Sequence, residues 1–357
     1  MNADEKYLTP GGRPGPVVRE GEFVFGAAGL EHGHIADMTR SLLEAGATLK
    51  WVYNPDPEKV RDFQKKFPQA RAARCEDELL SDPEVRLVAA AAIPCDRAAL
   101  GVRVMESGKD YFTDKTPLIS LEQLDAVKAA CARTGRRFFV YYSERLCSES
   151  AVYAERLLAD GAIGRVIQVM GTGPHRLGPP DSRPDWFYRR AQYGGILCDL
   201  GSHQIEQYLA FSGAKDARVV SSQIANYAHP DYPELDDFGD AVLAGDNGTS
   251  HYFRVDWFTP DGLRTWGDGR TFILGTEGYI ELRKYMNLGV SGEGDLVFLA
   301  DRSGEREIHV SGKVGCPFFG EMILDCLNGT QRAMTQEHIF KAAELSVKAQ
   351  MLAQKLE

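Results

Sequence analysis

Asp199 and His203 stand four residues apart in the run Tyr193-Gly194-Gly195-Ile196-Leu197-Cys198-Asp199-Leu200-Gly201-Ser202-His203. On one helix this spacing puts both side chains on the same face, about one turn apart. A carboxylate near the helix N-terminus is held ionised by the dipole. An imidazole, whose ordinary pKa is about 6.5, can accept a proton at neutral pH. The bland alternative is a buried pair that only caps the helix. Lys115, in Asp114-Lys115-Thr116-Pro117, offers an ammonium that can stand beside a hydroxyl at the mouth of a parallel sheet. An isolated lysine is otherwise a surface residue. His175-Arg176 and Arg183-Pro184-Asp185-Trp186 supply polar groups and an indole face suited to a sugar-sized cleft, or equally a structural loop around a half-buried tryptophan.

A second kind of chemistry is suggested by Gly26-Ala27-Ala28-Gly29-Leu30-Glu31-His32-Gly33-His34. A GxGxxG turn places backbone amides and a helix N-terminus against a pyrophosphate. Aligned on Gly26, the second glycine position is Ala28 and the third is Glu31, whose carboxylate beside a pyrophosphate would repel it. Gly29 and Gly33 keep the turn small, so a shifted phosphate loop competes with a plain strand-to-helix turn. Where an acidic residue would bond an NAD ribose at the end of the second strand stands Asn54, with Lys59 and Arg61 close by in sequence. That leaves NAD and NADP both open. His32, His229, His251, His309 and His338 lack partners at metal-ligand spacing and receive no role, so no metal site is expected.

The elements that must carry these residues follow from hydrophobic patterning. Residues 22–28 and 48–53 read as strands, and 85–93 is a continuous apolar run expected of a strand buried on both faces. Asp56-Pro57 marks a helix start, and Ser120 with Gln123 fits a capping box. Strand and helix alternate from about residue 22 to 142, which implies right-handed crossovers and a doubly wound parallel sheet with its ligands at the carboxyl ends of the strands. After residue 145 the texture changes. Helices near 149–160 and 202–212 flank a strand near 165–171. Strand-like runs follow around 217–228, 239–244, 250–258, 271–275, 278–284, 295–300 and 306–310, before a last helix over 335–356. This reads as a mostly antiparallel sheet with helices on one face. The expected division is a polar Pro/Gly-rich leader (1–21), a dinucleotide domain (22–145) and a substrate and oligomerisation domain (146–357) whose last helix packs back on the first.

Composition bounds the possibilities. The 357 residues carry 41 Lys+Arg against 51 Asp+Glu, a net charge of −10, and about 150 residues per domain suggests two domains. The acidic balance argues against nucleic-acid binding. No stretch approaches the roughly 18 apolar residues of a membrane span, and the N-terminus lacks a signal-peptide core. Seven scattered cysteines without a CxxC pair read as reduced packing thiols in a cytoplasmic protein.

Taken in order, several segments carry a family resemblance: the Gly26 loop ending in His34, Ile93-Pro94, Gly108-Lys109, Asp114-Lys115-Thr116-Pro117, Arg145, Gly194-Gly195 with Asp199, Gly201 and His203, and Gly275-Thr276-Glu277-Gly278-Tyr279. Together they resemble the glucose–fructose oxidoreductase / inositol dehydrogenase family (Gfo/Idh/MocA) over nearly the whole chain. The resemblance implies an α/β Rossmann domain plus an α+β C-terminal domain with an open, mostly antiparallel sheet, whose exposed face makes a homodimer or homotetramer. It also implies NAD or NADP as cofactor and a carbohydrate or cyclitol substrate oxidised or reduced at a carbinol carbon. Carried over residue by residue, the cofactor contacts are Gly26, Ala28, Gly29, Leu30, Asn54, Ile93, Pro94, Asp114, Lys115 and Ser143. The substrate contacts are Lys115, Arg145, His175, Trp186, Asp199 and His203, with Lys115, His203 and Asp199 catalytic. Asp114 replaces the family's glutamate, Thr116 is inserted before the proline, and Ser143-Glu144-Arg145 replaces Asn-x-Arg. Two alternatives use the same residues: redox-neutral glycoside cleavage or epimerisation through a transient ketone, and a non-catalytic dinucleotide or sugar sensor.

Overall fold

Residues 15–179 and 182–357 are described by the computed structural model of the chain; the expected leader falls outside the described residues as far as residue 14. The chain divides into two compact units. One takes the described residues up to Tyr141 together with Pro317–Phe340, and the other takes Tyr142–Cys316 with Lys341–Glu357.

In the first unit, β1 (Val24–Ala28), α1 (His34–Glu44), β2 (Thr48–Tyr53), α2 (Pro57–Lys66), β3 (Arg71–Ala72), α3 (Glu76–Leu80), β4 (Val85–Ala90), α4 (Pro94–Glu106), β5 (Asp110–Asp114), α5 (Leu121–Thr134) and β6 (Phe138–Tyr141) alternate. They form a six-stranded sheet in the order β3-β2-β1-β4-β5-β6, and β1 pairs in parallel with both β2 and β4. The chain reverses direction across the sheet between these two neighbours of β1, which opens a crevice at their carboxyl ends. β5 and β6 are buried at every position, as helices on both faces require. The helix starts follow local chemistry. Asp56 accepts from the Glu58 N–H at 2.8 Å ahead of Pro57, and Ser120 accepts from the Gln123 N–H at 3.2 Å.

The boundary expected at residue 145 falls instead after Tyr141, and Pro317–Phe340 returns to the first unit. Packing explains the return. The helix Phe318–Asn328, which the sequence reading does not include, lays Phe319 against Phe112 (5.8 Å between ring centroids) and Tyr141 (6.0 Å). Gln336 then uses its side-chain amide as a strand edge: Oε1 accepts from the Phe138 N–H at 2.9 Å and Nε2 donates to the Phe138 carbonyl at 3.0 Å. This satisfies backbone groups that an edge strand leaves open.

The second unit begins with α6 (Ser143–Leu146), α7 (Glu149–Ala159) and β7 (Val166–Pro174), continues through α8 (Arg190–Tyr193) and α9 (Ile196–Asp199), and reaches α10 (Gly201–Ser212). β8 (Ala217–Ala225), β9 (Phe238–Gly245), β10 (Ser250–Asp256), β11 (Arg270–Gly275), β12 (Gly278–Arg283), β13 (Leu296–Asp301), β14 (Gly304–His309) and β15 (Gln354–Lys355) complete it. The nine strands run β14-β13-β12-β11-β7-β10-β9-β8-β15. Pairing is antiparallel except for β7 with β10 and β8 with β15. The last helix, Gln336–Met351, stops short of the expected residue 356 because the chain turns to add β15. α10 lies close against β7 because Gly171 and Gly173 have no side chain. A Cβ at Gly173 would stand 2.8 Å from the Gln204 amide.

His251 on β10 is buried and carries a pH signature. Its Nδ1 hydrogen-bonds the Val169 carbonyl at 2.8 Å, its ring stacks on Tyr208, and burial lowers its pKa to about 4. The folded chain therefore binds this proton less readily than the unfolded chain does. The contribution to stability is complete above about pH 6.5 and falls by about 1.4 kcal/mol per pH unit down to about pH 4. Urea unfolding of His251→Phe is expected to show a shallower loss of stability than wild type between these two pH values.

Candidate active site

The phosphate-loop region is built at the carboxyl ends of β1, β2 and β5. Gly29 has φ +59°, and a Cβ there would lie 2.8 Å from Ala92, so the turn excludes other residues. α1 starts at Gly33 without a side-chain cap, and a Cβ at Gly33 would meet nothing within 4 Å. A helix N-terminus above a glycine turn at the sheet's reversal suits a pyrophosphate. Ala28 is buried, while Leu30 and Ile93 border the loop half-exposed and Pro94 opens α4. Glu31 Oε1 accepts from Asn54 Nδ2 at 2.7 Å, and Lys59 Nζ approaches it at 3.4 Å. The carboxylate is thereby held toward the end of β2.

Asp114, the last residue of β5, is fully buried and accepts four donors. Oδ1 takes the Lys115 N–H and His34 Nδ1, both at 2.8 Å; Oδ2 takes His32 Nδ1 at 2.9 Å and Arg97 Nη2 at 3.0 Å. Burial alone would raise its pKa, but His34, Arg97 and His32 hold it well below the usual carboxylate range. Burial and His34 push His32 down to about 4 despite the attraction of Asp114. His32, given no role from spacing, therefore has a partner 82 positions away in the chain. The ligand-type atoms of His32, His34 and Asp114 lie within 4.8 Å of one another. Arg97 and the two imidazoles already saturate the carboxylate, which makes it an anchor for the loop.

Arg97 is a residue that sequence reasoning missed. It is 1% exposed, and besides Asp114 it binds the carbonyls of Ala92 (2.7 Å), Thr116 (3.0 Å) and Lys115. It thus clamps the turn that carries Lys115, whose peptide bond to Thr116 is cis. An arginine on α4 inside an otherwise apolar helix face was the available signal.

In the second unit the Gly194-Gly195 turn sets the chain direction into α9. Gly195 has φ +95° and ψ 160°, a region open essentially to glycine alone. A Cβ there would collide with the Gln350 amide, which accepts from the Leu197 N–H at 2.9 Å and donates to Asp236 at 3.1 Å. Gly195→Ala is expected to destabilise this unit by about 2–4 kcal/mol, combining backbone strain with the displaced Gln350. Denaturant unfolding checks the value.

Asp199 and His203 do not share one uninterrupted helix. Asp199 ends α9, Leu200 intervenes, and α10 begins at Gly201. The join is held by the Asp199 carbonyl, which accepts from Ser202 Oγ at 2.9 Å. Asp199 therefore stands just ahead of the α10 N-terminus, and His203 lies in its first turn. His203 is buried, with the Tyr142 ring edge-on at 6.3 Å. Tyr142 is wholly buried and its hydroxyl has no hydrogen-bond partner among the described residues, so burial holds its pKa well above the usual phenol value.

The other expected substrate residues divide. His175 sits between Trp257 (5.5 Å) and Trp266 (4.3 Å), with Nε2 4.0 Å from Glu144. Arg183 lies over Phe187 and Trp257 and donates to the Leu177 and Arg176 carbonyls; burial lowers its pKa while the charge of Asp199 opposes the shift. Trp186, half-exposed on the short helix Asp185–Tyr188, packs on Phe187 at 5.9 Å. Ser143 opens α6, half-exposed. The Arg145 guanidinium is engaged by Glu206 (Nε–Oε1 2.8 Å) and by Glu155, so it braces α6 against α10 and α7. Its neighbour Glu144, not singled out from sequence, enters a buried network with Gln204 (2.9 Å) and Lys284 (3.6 Å), and burial lowers the Lys284 pKa.

A glycine turn and a helix N-terminus at the reversal of a six-stranded parallel sheet define a dinucleotide-binding domain of the Rossmann class. Comparison with known proteins agrees. Residues 23–142 match the description "Oxidoreductase family, NAD-binding Rossmann fold", and residues 152–281 match "GFO/IDH/MocA C-terminal domain". The chain belongs to the Gfo/Idh/MocA oxidoreductase family. It is 27% identical over 149 residues to D-xylose dehydrogenase of Paenarthrobacter nicotinovorans (41% of this chain, 38% of that protein). It is 25% identical over 244 residues to the NADP(+)-dependent scyllo-inositol 2-dehydrogenase IolW of Bacillus subtilis (strain 168), covering 67% of this chain and 65% of that one. The chain thus spans less than two thirds of the length of either relative. A crystal structure of a provisionally assigned oxidoreductase from Erwinia carotovora atroseptica SCRI1043 shares 53% identity and superposes with a TM-score of 0.91, over 94% of this chain and all of that one. Levoglucosan dehydrogenase in complex with NADH and levoglucosan has the same fold (TM-score 0.71, 16% identity, 95% of this chain and 92% of that one).

Proposed function

We propose that this chain is an NAD(P)-dependent dehydrogenase or reductase acting on a secondary alcohol or ketone of a sugar, sugar derivative or cyclitol. The observation that carries this reading is that the β5 turn holding Lys115 is braced by buried Arg97 and Asp114, while Asp199 and His203 are set at the start of α10. A bound nicotinamide supplies the hydride acceptor or donor. In oxidation His203 accepts the hydroxyl proton as the C–H bond gives up its electron pair. The Lys115 ammonium stabilises the alkoxide that develops on the oxygen. Asp199 bonds the imidazole or the substrate, and His175 with Trp186 supplies sugar contacts. Two of the relatives named above are a D-xylose dehydrogenase and a scyllo-inositol 2-dehydrogenase, which supports the substrate class.

The test is a titration of the purified protein with NAD, NADH, NADP and NADPH by thermal shift, followed by a screen of sugars, cyclitols and glycosides for change in nicotinamide absorbance. A ligand at 100 times its Kd adds about 2.7 kcal/mol of stability. Binding with turnover of a polyol supports the reading. Product formed at constant absorbance would instead point to redox-neutral cleavage or epimerisation, and no response to any dinucleotide would point to a sensor.

The same reading includes a homodimer or homotetramer formed through the outer face of the large sheet. Leu274 (44% exposed) and Tyr279 (52% exposed) present apolar surface there, supporting the reading. Sedimentation is expected to show an oligomer, and Leu274→Glu with Tyr279→Glu is expected to shift it toward monomer.

A further inference from the structure

We propose that Glu31 is the receptor for the adenosine-ribose diol and that it makes the chain select NAD(H) over NADP(H); the inference rests on the dehydrogenase reading above. An acidic side chain at the end of β2 would bond that diol, yet the residue there is Asn54. The structure brings an acid to the same place from a different segment. Asn54 is 5% exposed and its orientation is set, because its Oδ1 accepts from the Asp56 N–H at 2.9 Å. Its Nδ2 is thereby turned outward and donates to Glu31 Oε1 at 2.7 Å. Among the described residues the other carboxylate oxygen, Oε2, makes no hydrogen bond, so it is available to accept from a ribose hydroxyl.

Charge then decides between the two cofactors. A ribose 2′-hydroxyl donates to a carboxylate, whereas a 2′-phosphate brings about 1.5–2 negative charges against it. Lys59 is the cation that the structure places beside Glu31, and a free ammonium there would reverse this preference. It already stands 3.4 Å from Glu31 Oε1 and is 41% exposed, while the Glu31 side chain is 14% exposed. The lysine therefore offsets a charge already present, and a phosphate would meet a neutralised pair in place of a free ammonium.

The experiment measures NADH and NADPH binding to the full chain by calorimetry, without substrate, for wild type and Glu31→Gln. Wild type is expected to bind NADH about 10- to 100-fold more tightly than NADPH, the range associated with hydrogen bonds to a charged group. Glu31→Gln keeps the side-chain length but removes the charge. It is expected to weaken NADH binding about tenfold and to bring the two affinities within about threefold. Wild type preferring NADPH, or Glu31→Gln binding both with an unchanged ratio, would overturn the inference and leave the dehydrogenase reading intact. If folded wild type binds neither dinucleotide, the dehydrogenase reading and this inference fall together. The wild-type preference is decisive even if the variant does not fold.

Discussion

Lys115→Ala and His203→Ala are each expected to abolish most turnover while the protein stays folded. Losing the ammonium removes electrostatic stabilisation of the alkoxide, which costs about 10²–10³-fold in kcat. Losing the imidazole removes the proton acceptor, which costs about 10²–10⁴-fold. The double variant should lose less than the product of the two, because groups acting on one reaction step are not additive. Single-turnover absorbance at saturating cofactor, beside calorimetric Kd values for NADH, separates chemistry from binding. Near-wild-type kcat in both variants would refute the assignment. Asp199→Asn offers a finer measure. If Asp199 orients His203, the variant should lose kcat while retaining the imidazole, and its pH–rate profile should shift.

The second large effect is on stability. Asp114→Ala leaves the Arg97 guanidinium, 1% exposed, without its carboxylate and removes the acceptor for two imidazoles. Removing one partner of a buried ion pair costs about 3–5 kcal/mol, since the other charge remains desolvated. Urea unfolding of Asp114→Ala at pH 7 is expected to show a loss in that range. The double variant Asp114→Leu with Arg97→Met should recover part of it, as the uncompensated charge is gone. A folded-state carboxylate pKa held below its unfolded value adds stability above the unfolded pKa, and that stability is lost as pH falls through the folded one. Asp114 in wild type therefore contributes acid sensitivity below about pH 4 that the double variant should lack. Equal stability of wild type and Asp114→Ala would show that Arg97 finds other compensation.

Much of the fold was legible because the signals are local. The strand at 48–53, the strand read over 85–93 and observed over Val85–Ala90, the Asp56 and Ser120 caps and the alternation up to β6 follow from hydrophobic period and capping chemistry within a dozen residues. The helix Phe318–Asn328 was readable in principle from Phe318, Phe319, Met322 and Ile323 at helical spacing ahead of Gly329. Its place in the first unit was not, because that rests on contacts with Phe112 and Tyr141 some two hundred residues earlier.

The site divides the same way. Residue types and spacing by themselves determined the Rossmann half, and they singled out the glycine loop, Lys115 on its Asp-Lys-Thr-Pro turn, Asp199 and His203 as candidates. Each of these is a short contiguous motif, readable without knowledge of distant chain. Only the tertiary structure decided what the charged neighbours do. Arg145 turned to Glu206 and Glu155, His32 and Arg97 converged on Asp114, and Glu31 swung to Asn54. A buried charge must find its counter-charge wherever the fold brings one, and sequence spacing carries no record of partners 61, 82 or 23 residues away.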